Sequence, residues 1–423
     1  MSEKRNPITV HQAVKTVMKW KKRGNKNVVN FSECDDGYLF DPICADHPVP
    51  PFNRSPYDGY AIRSQDTELL SSNNSIDFEV IDEIPAGHTI EKIVGKNQTV
   101  KIMTGGAIPP GADAVIMKEL VSKKEGGKYI TIKRKLKPGE NISFKGEDVE
   151  AGTEIISKGT YINPGVKALL ATFGYSKVPL VKKPIIGLIA TGSELLHVHE
   201  PLAPGKIRNS NSHMVSSQIK RAGGNVNYYG QIGDDLEDLV ELTQKALLEC
   251  DFIITTGGVS VGDYDHLPEV YRSINAQELF NKVAMRPGSV TTVAEKEGKL
   301  LFGLSGNPSA CYVGFELFVR PIIRYWNYSD SPYVRPVKAY LNKDFPKANP
   351  FTRFVRGELQ YSSGDILFKP VGLDKSNAVS SLAKSDALMI LPGGTRGYKK
   401  GNLVDVLLLE DQKGSEEMWD MRK

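Results

Sequence analysis

The feature that most constrains the fold is a regular alternation in the middle of the chain, from residue 184 to residue 326. Apolar stretches of about six residues alternate there with segments in which apolar residues recur at helical spacing. The pairs are PIIGLIA and SHMVSSQIKRAGG, NVNYYGQI and LEDLVELTQKALLEC, DFIITT and LPEVYRSI, and KLLFGL and SACYVGFELFVRPII. This alternation predicts a mostly parallel sheet with crossover helices, and therefore an α/β domain.

The residues before this domain have other patterns. After Thr9, a possible N-cap, four apolar residues at helical spacing predict one amphipathic helix; they are Val10, Ala13, Val14 and Val17. Residues 44–145 contain short apolar stretches broken by Gly, Pro and Asn, with a Gly126-Gly127 turn, which indicates a β-rich module. Residues 146–180 return to helix and short strand, and INPGVKALLATFG predicts a helix that ends on Gly174.

The last part of the chain predicts a further β domain. After Tyr328 short apolar stretches alternate with polar turns, as in a small β-barrel or sandwich. Because 423 residues exceed one ordinary hydrophobic core, we expect a multidomain α/β plus β protein. The expected division is a helical and β linker subdomain (residues 1–46 and 146–181), a β-rich subdomain (47–145), the α/β domain (182–329) and a C-terminal β-barrel domain (330–423).

Charge and composition narrow the class of function. The formal net charge of +4 is small for this length, and the basic residues are spread along the chain, which disfavours nucleic acid as a ligand. Apolar runs such as residues 185–190 are too short to span a membrane, and the N-terminus lacks an apolar signal-peptide core. The four cysteines lie far apart, without the spacing of a disulfide framework or a zinc site. We therefore expect a cytoplasmic enzyme.

Ligands of an open α/β sheet bind beyond the carboxyl ends of its strands, where loops and helix N-termini converge. All four loops predicted at these ends are polar and contain glycine: residues 191–194 (TGSE), 233–235 (GDD), 257–265 (GGVSVGDYD) and 305–308 (SGNP). Three glycines and two hydroxyl residues in one stretch would cradle an anion; they are Gly257, Gly258, Gly262, Thr256 and Ser260. Since a glycine-rich turn alone is weak evidence of a site, this interpretation depends on the four loops together.

Three carboxylates, those of Glu194, Asp234 and Asp265, are expected at the mouth of the same crevice. They cannot all be ionised at close range without a counter-charge, so the sequence predicts a divalent cation such as Mg²⁺ or a raised pKa. The metal is the favoured alternative. Asp235 has a different interpretation that is equally good, as the N-cap of the helix that follows it.

Four more candidates lie outside these loops. Lys282 and Arg286 would suit an anionic substrate group, although a solvated strand end has the same composition. In the β-rich module, Asp58 in SPYDGYA and Thr104 in MTGGAIP come next to glycine turns. Polar residues beside such turns are candidates for binding or catalysis.

In order, these motifs resemble those of the molybdopterin molybdenumtransferase family, the MoeA-type proteins, which are related to the E domain of gephyrin. SPYDGYAIR is similar to the family's S-A-M-D-G-Y-A, and IMTGGAIPPGADAVI to its M-T-G-A-P-x-P-x-G-A-D-A-V-V. GENISFKGEDVEAG, TGSEL and TTGGVSVGDYD resemble three further motifs. The resemblance covers essentially the whole chain and implies that the central α/β domain is similar to MogA and MoaB.

The resemblance implies an enzyme of molybdenum cofactor biosynthesis. Members of this family insert molybdenum from molybdate into adenylylated molybdopterin, with Mg²⁺-dependent release of AMP. It also implies a homodimer, in which the α/β domain of one subunit faces the β-rich module of the other. Besides the pterin substrate, the expected partners are the preceding adenylyltransferase and the recipient molybdoenzymes, with no nucleic acid and no membrane.

The resemblance also assigns residues. The implied catalytic residues are Asp58, Thr104, Asp148, Glu194, Asp234 and Asp265. The last three are also the implied Mg²⁺ ligands. Contacts to the pterin, its phosphate or molybdate are expected from Thr191, Ser210, Asn211, Thr256, Gly257, Gly258, Ser260, Gly262, Lys282, Arg286, Pro287, Gly288, Ser289, Ser305, Gly306, Asn307, Pro308, Arg356 and Ser376. Arg356 and Ser376 fall where the family places molybdate contacts.

The chain departs from the family pattern at several of these positions. Ser289 replaces the second lysine of the family's K-P-G-K-P, and Ser305 replaces the first proline of its G-L-P-G-N-P. Pro56-Tyr57 stands where the family has Ala-Met before Asp58. Two alternative functions therefore stay open: a molybdopterin adenylyltransferase and a non-catalytic molybdopterin-binding scaffold.

Overall fold

The computed structural model describes residues 6–85, 87–233, 235–258, 266–410 and 414–419. The chain forms two compact units. The first unit contains Met1–Asp41, Lys158–Gly165 and Ser176–Lys423, and the second contains Pro42–Ser157 and Val166–Tyr175. The finer division into four subdomains stays a prediction.

The first helix, α1, spans Val10–Met18 and has the predicted N-cap. The Thr9 hydroxyl accepts the Gln12 backbone N–H, and the Gln12 side chain accepts the Thr9 N–H, which together form a capping box. The four apolar residues at helical spacing are buried, as expected for an amphipathic helix. Strand β1 follows at Lys26–Asn30.

The second unit is rich in strands, which confirms the predicted β module. They are β2 (Ile43–Cys44), β3 (Gly59–Ile62), β4 (Ile76–Ile84), β5 (Gln98–Ile102), β6 (Ala114–Met117), β7 (Ser122–Lys124), β8 (Tyr129–Ile132) and β9 (Glu154–Ile156). Six of them form one sheet in the order β6-β3-β5-β4-β8-β7, while β2 pairs with β9. Strands β7 and β8 form a hairpin around the predicted glycine turn, where Gly126 and Gly127 have φ angles of 66° and 100°.

Helix α2 spans Pro164–Thr172, and Gly174 follows it in a left-handed conformation with a φ of 69°. A proline at the first helical position and a glycine after the last turn are the expected boundaries. Strand β10 (Lys177–Val181) then pairs antiparallel with β1.

The central segment has the predicted alternation of strands and helices. The strands are β11 (Ile185–Thr191), β12 (Leu195–Leu196), β13 (Ile207–Arg208), β14 (Asn225–Ile232), β15 (Phe252–Thr256), β16 (Gln277–Phe280), β17 (Met285–Arg286), β18 (Thr292–Lys296) and β19 (Lys299–Leu304). The helices are α3 (Asn211–Ala222), α4 (Leu236–Glu249), α5 (Leu267–Ser273), α6 (Pro308–Gly314) and α7 (Arg320–Trp326). The main sheet has the order β14-β11-β15-β19-β18-β16. Its first four strands are parallel, and the last two add antiparallel pairings, so the prediction of a mostly parallel sheet is confirmed.

The last helical segment is less regular than its sequence pattern predicts. Helices α6 and α7 are joined by a π-helical turn at Phe315–Val319. Pro321 has no N–H to donate to the carbonyl four residues earlier, so the α-helical hydrogen-bond pattern is interrupted there. The wider π-helical turn accommodates this interruption.

The C-terminal region is a closed barrel, as predicted. Its strands are β20 (Arg335–Leu341), β21 (Thr352–Ser362), β22 (Asp365–Pro370), β23 (Ala387–Leu391) and β24 (Leu403–Leu408). The strand order is β21-β22-β20-β24-β23, and β23 pairs back with β21. Strand β17 pairs parallel with β21, with Arg286 opposite Arg353, so a loop of the α/β domain lies against the barrel.

Within the described residues, no helix combines the length and the apolar composition needed to cross a membrane.

Candidate active site

The loops that follow β11 and β15 touch each other directly. The Thr191 hydroxyl donates to the Thr256 carbonyl oxygen at 3.4 Å. Gly257 has a φ of 99°, and a Cβ added to it would lie 2.4 Å from the Thr191 carbonyl oxygen. Its N–H donates to the carbonyl of Leu304, the last residue of β19, at 3.0 Å. Only glycine fits this position, because the backbone conformation and the close approach both exclude a side chain.

The loop after β19 and the start of α3 complete the same feature. A Cβ added to Gly306 would lie 3.6 Å from the Cα of Gly257, and the Asn211 side-chain amide donates to the Gly306 carbonyl at 2.8 Å. The other amide atom of Asn211, Oδ1, is buried without a hydrogen-bond partner among the described residues. We call this convergence of the loops after β11, β15 and β19 with the start of α3 the strand-end crevice. It contains Thr191, Ser210, Asn211, Thr256, Gly257, Gly258, Ser305, Gly306, Asn307 and Pro308.

The predicted carboxylates are only partly described. Glu194 is exposed and follows β11, and its carboxylate lies close to Gly192, where an added Cβ would be 2.6 Å from Oε2. Asp234, Ser260, Gly262 and Asp265 lie outside the described residues. Among the residues that the structure does describe, no group of three or more His, Cys, Asp or Glu side chains is arranged to hold a metal ion.

Asp235 has the structural role that was one of its two interpretations. Its carboxylate accepts the backbone N–H of Asp238 at 3.0 Å and caps α4. This hydrogen bond satisfies one of the free N–H groups at the helix N-terminus.

A second cavity, of about 270 Å³, lies between the loop after β17 and the barrel. Its lining contains four cationic side chains and one carboxylate, those of Arg286, Arg353, Arg356, Lys375 and Asp374. The remaining lining residues are Met285, Pro287, Gly288, Ser289, Val290, Ser305, Asn307 and Ser376. We call this cavity the arginine pocket. Because Ser305 and Asn307 belong to both features, the strand-end crevice and the arginine pocket share one loop.

Two arginines of this pocket are buried with unused donors. Arg356 is 2% exposed; its Nε donates to Ser381 Oγ at 2.8 Å, and its Nη2 donates to the Leu373 and Lys375 carbonyls at 3.0 and 3.2 Å. Arg356 Nη1 and Arg353 Nε are buried, and neither has a hydrogen-bond partner among the described residues. A buried donor without a partner is costly, so its presence in a cavity points to an acceptor that binds there.

Electrostatics favour an anion as that acceptor. Burial lowers the pKa of Arg356, and the carboxylate of Asp374 opposes this shift. A guanidinium stays protonated in proteins, so an anion in the pocket would relieve the cost of burying its charge. Planar N–H donors and neighbouring hydroxyls suit the oxygens of a tetrahedral oxyanion.

Lys282 is the predicted basic residue that does not line this pocket. Its carbonyl accepts the Ile8 N–H at 3.1 Å, which ties the segment before α1 to the α/β domain. An anion contact of Lys282 therefore stays a prediction.

In the second unit, Asp58 and Thr104 lie together on two interlocked loops. Asp58 Oδ1 accepts both the N–H and the hydroxyl of Thr104 at 2.9 Å, and Oδ2 accepts Lys118 Nζ at 2.9 Å. The hydrogen bonds from Lys118 and then Thr104 hold the pKa of Asp58 well below its usual range. The Gly105 N–H donates to the Ser55 carbonyl and the Ser55 N–H to the Gly106 carbonyl, which joins the two loops. This trio therefore presents an ionised carboxylate at near-neutral pH.

Asp148 is also in the second unit. It is exposed, and its N–H donates to the carbonyl of Val49 at 3.0 Å. Its backbone is therefore fixed while its carboxylate faces solvent.

Fold and site together define an α/β protein with a backbone-lined crevice beside a pocket of buried arginines, a lining that suits an anion. The sequence matches "MoeA N-terminal region (domain I and II)" over residues 8–174, "Probable molybdopterin binding domain" over 187–325 and "MoeA C-terminal region (domain IV)" over 338–409. The chain belongs to the MoeA family.

Relatives agree with this assignment over the whole length. A "Molybdopterin molybdenumtransferase" of Bacillus subtilis (strain 168) is 53% identical over 423 residues, which is 100% of this chain and 98% of the relative. One of Staphylococcus epidermidis (strain ATCC 12228) is 50% identical over 416 residues, 98% of this chain and 99% of the relative. The structure of a "molybdopterin biosynthesis moeA protein" from Pyrococcus horikoshii OT3 superimposes with a TM-score of 0.82 at 31% identity, and covers 95% of this chain and 100% of that one.

Proposed function

We propose that this protein is a transferase of molybdenum cofactor biosynthesis that inserts molybdenum from molybdate into adenylylated molybdopterin, with Mg²⁺-dependent release of AMP. The observation that carries the proposal is the arginine pocket, next to a crevice suited to phosphate groups. The pocket's two buried donors without partners among the described residues suit molybdate. The relatives named molybdopterin molybdenumtransferase support the same activity. Homodimer formation and a cytoplasmic location belong to the proposal.

The arginine pocket is the proposed molybdate site. Arg356 Nη1 and Arg353 Nε are the donors that lack partners among the described residues. Ser376, with Ser289 and Ser305, adds hydroxyl groups to the lining. Molybdate has four acceptor oxygens and two negative charges, so it would satisfy these donors and balance part of the cationic charge.

The strand-end crevice is the proposed site of the pterin and its phosphate groups. The glycine turn at Gly257 and Gly258 lies at the carboxyl end of the sheet, and the N-terminus of α3, whose N-cap Ser210 makes no side-chain cap hydrogen bond, lies beside the loop that contains Gly306. Both features favour negative charge. The loop shared with the arginine pocket, residues 305–307, would keep molybdate close to the atoms that receive the metal.

The proposed Mg²⁺ ligands are Glu194, Asp234 and Asp265. Glu194 fits this role, since its carboxylate is exposed beside the crevice and the oxygen ligand set is the one that Mg²⁺ prefers. When bound, the cation would neutralise charge on the phosphates during cleavage of the bond to AMP. Asp58, Thr104 and Asp148 complete the proposed catalytic set.

Protein thiols are not the proposed acceptor of molybdenum. Cys34, Cys250 and Cys311 are buried, and Cys44, which is exposed, belongs to the second unit. None of them lines the arginine pocket. The dithiolene sulfurs of the pterin would therefore take the metal.

The proposal is tested by supplying purified protein with adenylylated molybdopterin, Mg²⁺ and molybdate, and measuring AMP by chromatography. We expect AMP release that depends on molybdate. A parallel reaction with molybdopterin, ATP and Mg²⁺ tests the adenylyltransferase alternative, and adenylylated product formed without molybdate would overturn the proposal. Binding of adenylylated molybdopterin without any AMP release would identify a scaffold.

A further inference from the structure

The arginine pocket contains one acidic side chain, that of Asp374, among four cationic ones. If the pocket binds an oxyanion, as in the proposed function, the carboxylate of Asp374 lies close to it, because Asp374 lines the pocket two residues before Ser376. A negative charge there opposes the binding of a dianion. Tight binding of the anion therefore does not explain its position.

Two basic side chains hold this carboxylate from the barrel side. Arg353 Nη1 donates to Asp374 Oδ2 at 2.7 Å, and Lys347 Nζ donates to the same oxygen at 3.0 Å and to the Asp374 carbonyl at 3.2 Å. The side chains of Arg353 and Asp374 are only 10% and 15% exposed, while that of Lys347 is 48% exposed. The Arg353–Asp374 pair is thus a nearly buried ion pair whose strength solvent screens only weakly.

Arg353 and Arg356 differ in what they can offer an anion. Arg356 is bound to the backbone of the loop that carries Ser376 and to Ser381, and its Nη1 stays unused. Arg353 uses Nη1 on Asp374, and its unused Nε is buried. Asp374 therefore largely neutralises the charge of Arg353. The charge of the buried Arg356 is less fully balanced.

We propose that Asp374 is a positioning residue that limits the affinity of the arginine pocket for its oxyanion by binding Nη1 of Arg353, which leaves only Nε of that side chain for the anion. This inference rests on the proposed function, since it assumes that the pocket binds molybdate. Substrate held too tightly before the reaction lowers KM without raising kcat, so a counter-charge in the pocket favours turnover over retention. Asp374 acts through Arg353 and does not itself touch a reacting atom.

The test measures binding of sodium molybdate by calorimetry and the kcat and KM for molybdate in AMP release. For Asp374→Asn we expect about tenfold tighter binding, since removing a like charge at close range shifts an ionic equilibrium by about one power of ten. KM for molybdate should fall with it, and kcat should not rise. An equal or weaker affinity in an Asp374→Asn protein that melts at the wild-type temperature overturns the inference.

A second variant separates charge from structure. Lys347→Met leaves Asp374 with one cation fewer, so its negative charge acts more strongly and molybdate should bind more weakly. If Asp374 only braced the loop, both variants would weaken binding; opposite signs support the proposal. Should Asp374→Asn fail to fold, Lys347→Met decides, and unchanged or tighter binding there overturns the inference.

The matched control is another acid–base pair of the barrel, Glu358 with Lys369, whose Oε1 and Nζ atoms are 2.8 Å apart outside the pocket. Glu358→Gln should leave the molybdate affinity unchanged. Absence of molybdate binding in the wild-type protein would defeat the proposed function along with this inference. Wild-type binding that Asp374→Asn does not tighten defeats this inference alone.

Discussion

Replacing Gly257 with alanine tests whether the strand-end crevice depends on the close approach of two strand-end loops. Its φ of 99° is unfavourable for any residue with a side chain, which costs about 1–3 kcal/mol. The added Cβ would also lie 2.4 Å from the Thr191 carbonyl oxygen, a backbone atom at the end of a buried strand. Relieving such overpacking costs a further 1–3 kcal/mol or so. We expect a total loss of about 2–6 kcal/mol from the free energy of unfolding.

Two other glycines allow the two contributions to be separated. Gly230 has a φ of 92° but nothing within 4 Å of an added Cβ, so Gly230→Ala should cost only about 1–2 kcal/mol for the backbone. An added Cβ at Gly306 would lie 3.6 Å from the Cα of Gly257, which is an ordinary van der Waals contact, and the φ of Gly306 is not in the left-handed region. Gly306→Ala should therefore change the free energy of unfolding by less than about 0.5 kcal/mol.

The assay is urea unfolding followed by tryptophan fluorescence. All three tryptophans, Trp20, Trp326 and Trp419, belong to the first unit, as do the three glycines, so the signal reports the unit that is perturbed. The expected order of destabilisation is Gly257→Ala, then Gly230→Ala, then Gly306→Ala. A Gly257→Ala protein no less stable than Gly230→Ala would refute the claim that the two loops are tightly packed.

Two further predictions concern a carboxylate and a helix cap. The pKa of Asp58 is lower in the folded protein than in the unfolded chain, where it is about 3.9. The ionised carboxylate therefore stabilises the fold fully above the unfolded-state pKa, and this stabilisation is lost as the pH falls through the folded-state pKa. The Asp58 carboxyl carbon should therefore show no NMR titration as the pH falls from 8 through the ordinary value of about 3.9, and Lys118→Met should move its pKa upward. A titration of the wild-type carboxyl centred on the ordinary value would contradict the hydrogen bonds described. Thr9→Ala should remove the capping box of α1 and about 1 kcal/mol of stability by the same fluorescence assay, with Thr9→Ser as the control that keeps the cap.

The elements that sequence predicts well are those whose signals are local. Strands β11, β15 and β19 of the parallel sheet each form a short apolar run, and α1 has both its cap and its buried face within ten residues. The glycine loops at the strand ends follow from the fold, because the carboxyl ends of parallel strands meet at one edge. Their convergence could therefore be predicted without coordinates.

The parts that sequence reasoning missed depend on distant pairings. Lys118 meets Asp58 across 60 residues of chain, and nothing near either residue predicts the contact. Arg353 and Asp374 enter the arginine pocket only because β17 pairs with β21 in one register, which sets Arg286 opposite Arg353. A basic residue in a strand and an acidic residue in a loop do not by themselves predict a binding site. The closed barrel brings both to one cavity.

On the proposed function, this protein couples loss of AMP to gain of molybdenum. The most direct measurement is a single-turnover reaction with adenylylated molybdopterin, Mg²⁺ and molybdate, in which released AMP and pterin-bound molybdenum are both quantified. We predict equal amounts of the two products, and neither of them when molybdate is omitted. AMP released without any incorporation of molybdenum would contradict this account.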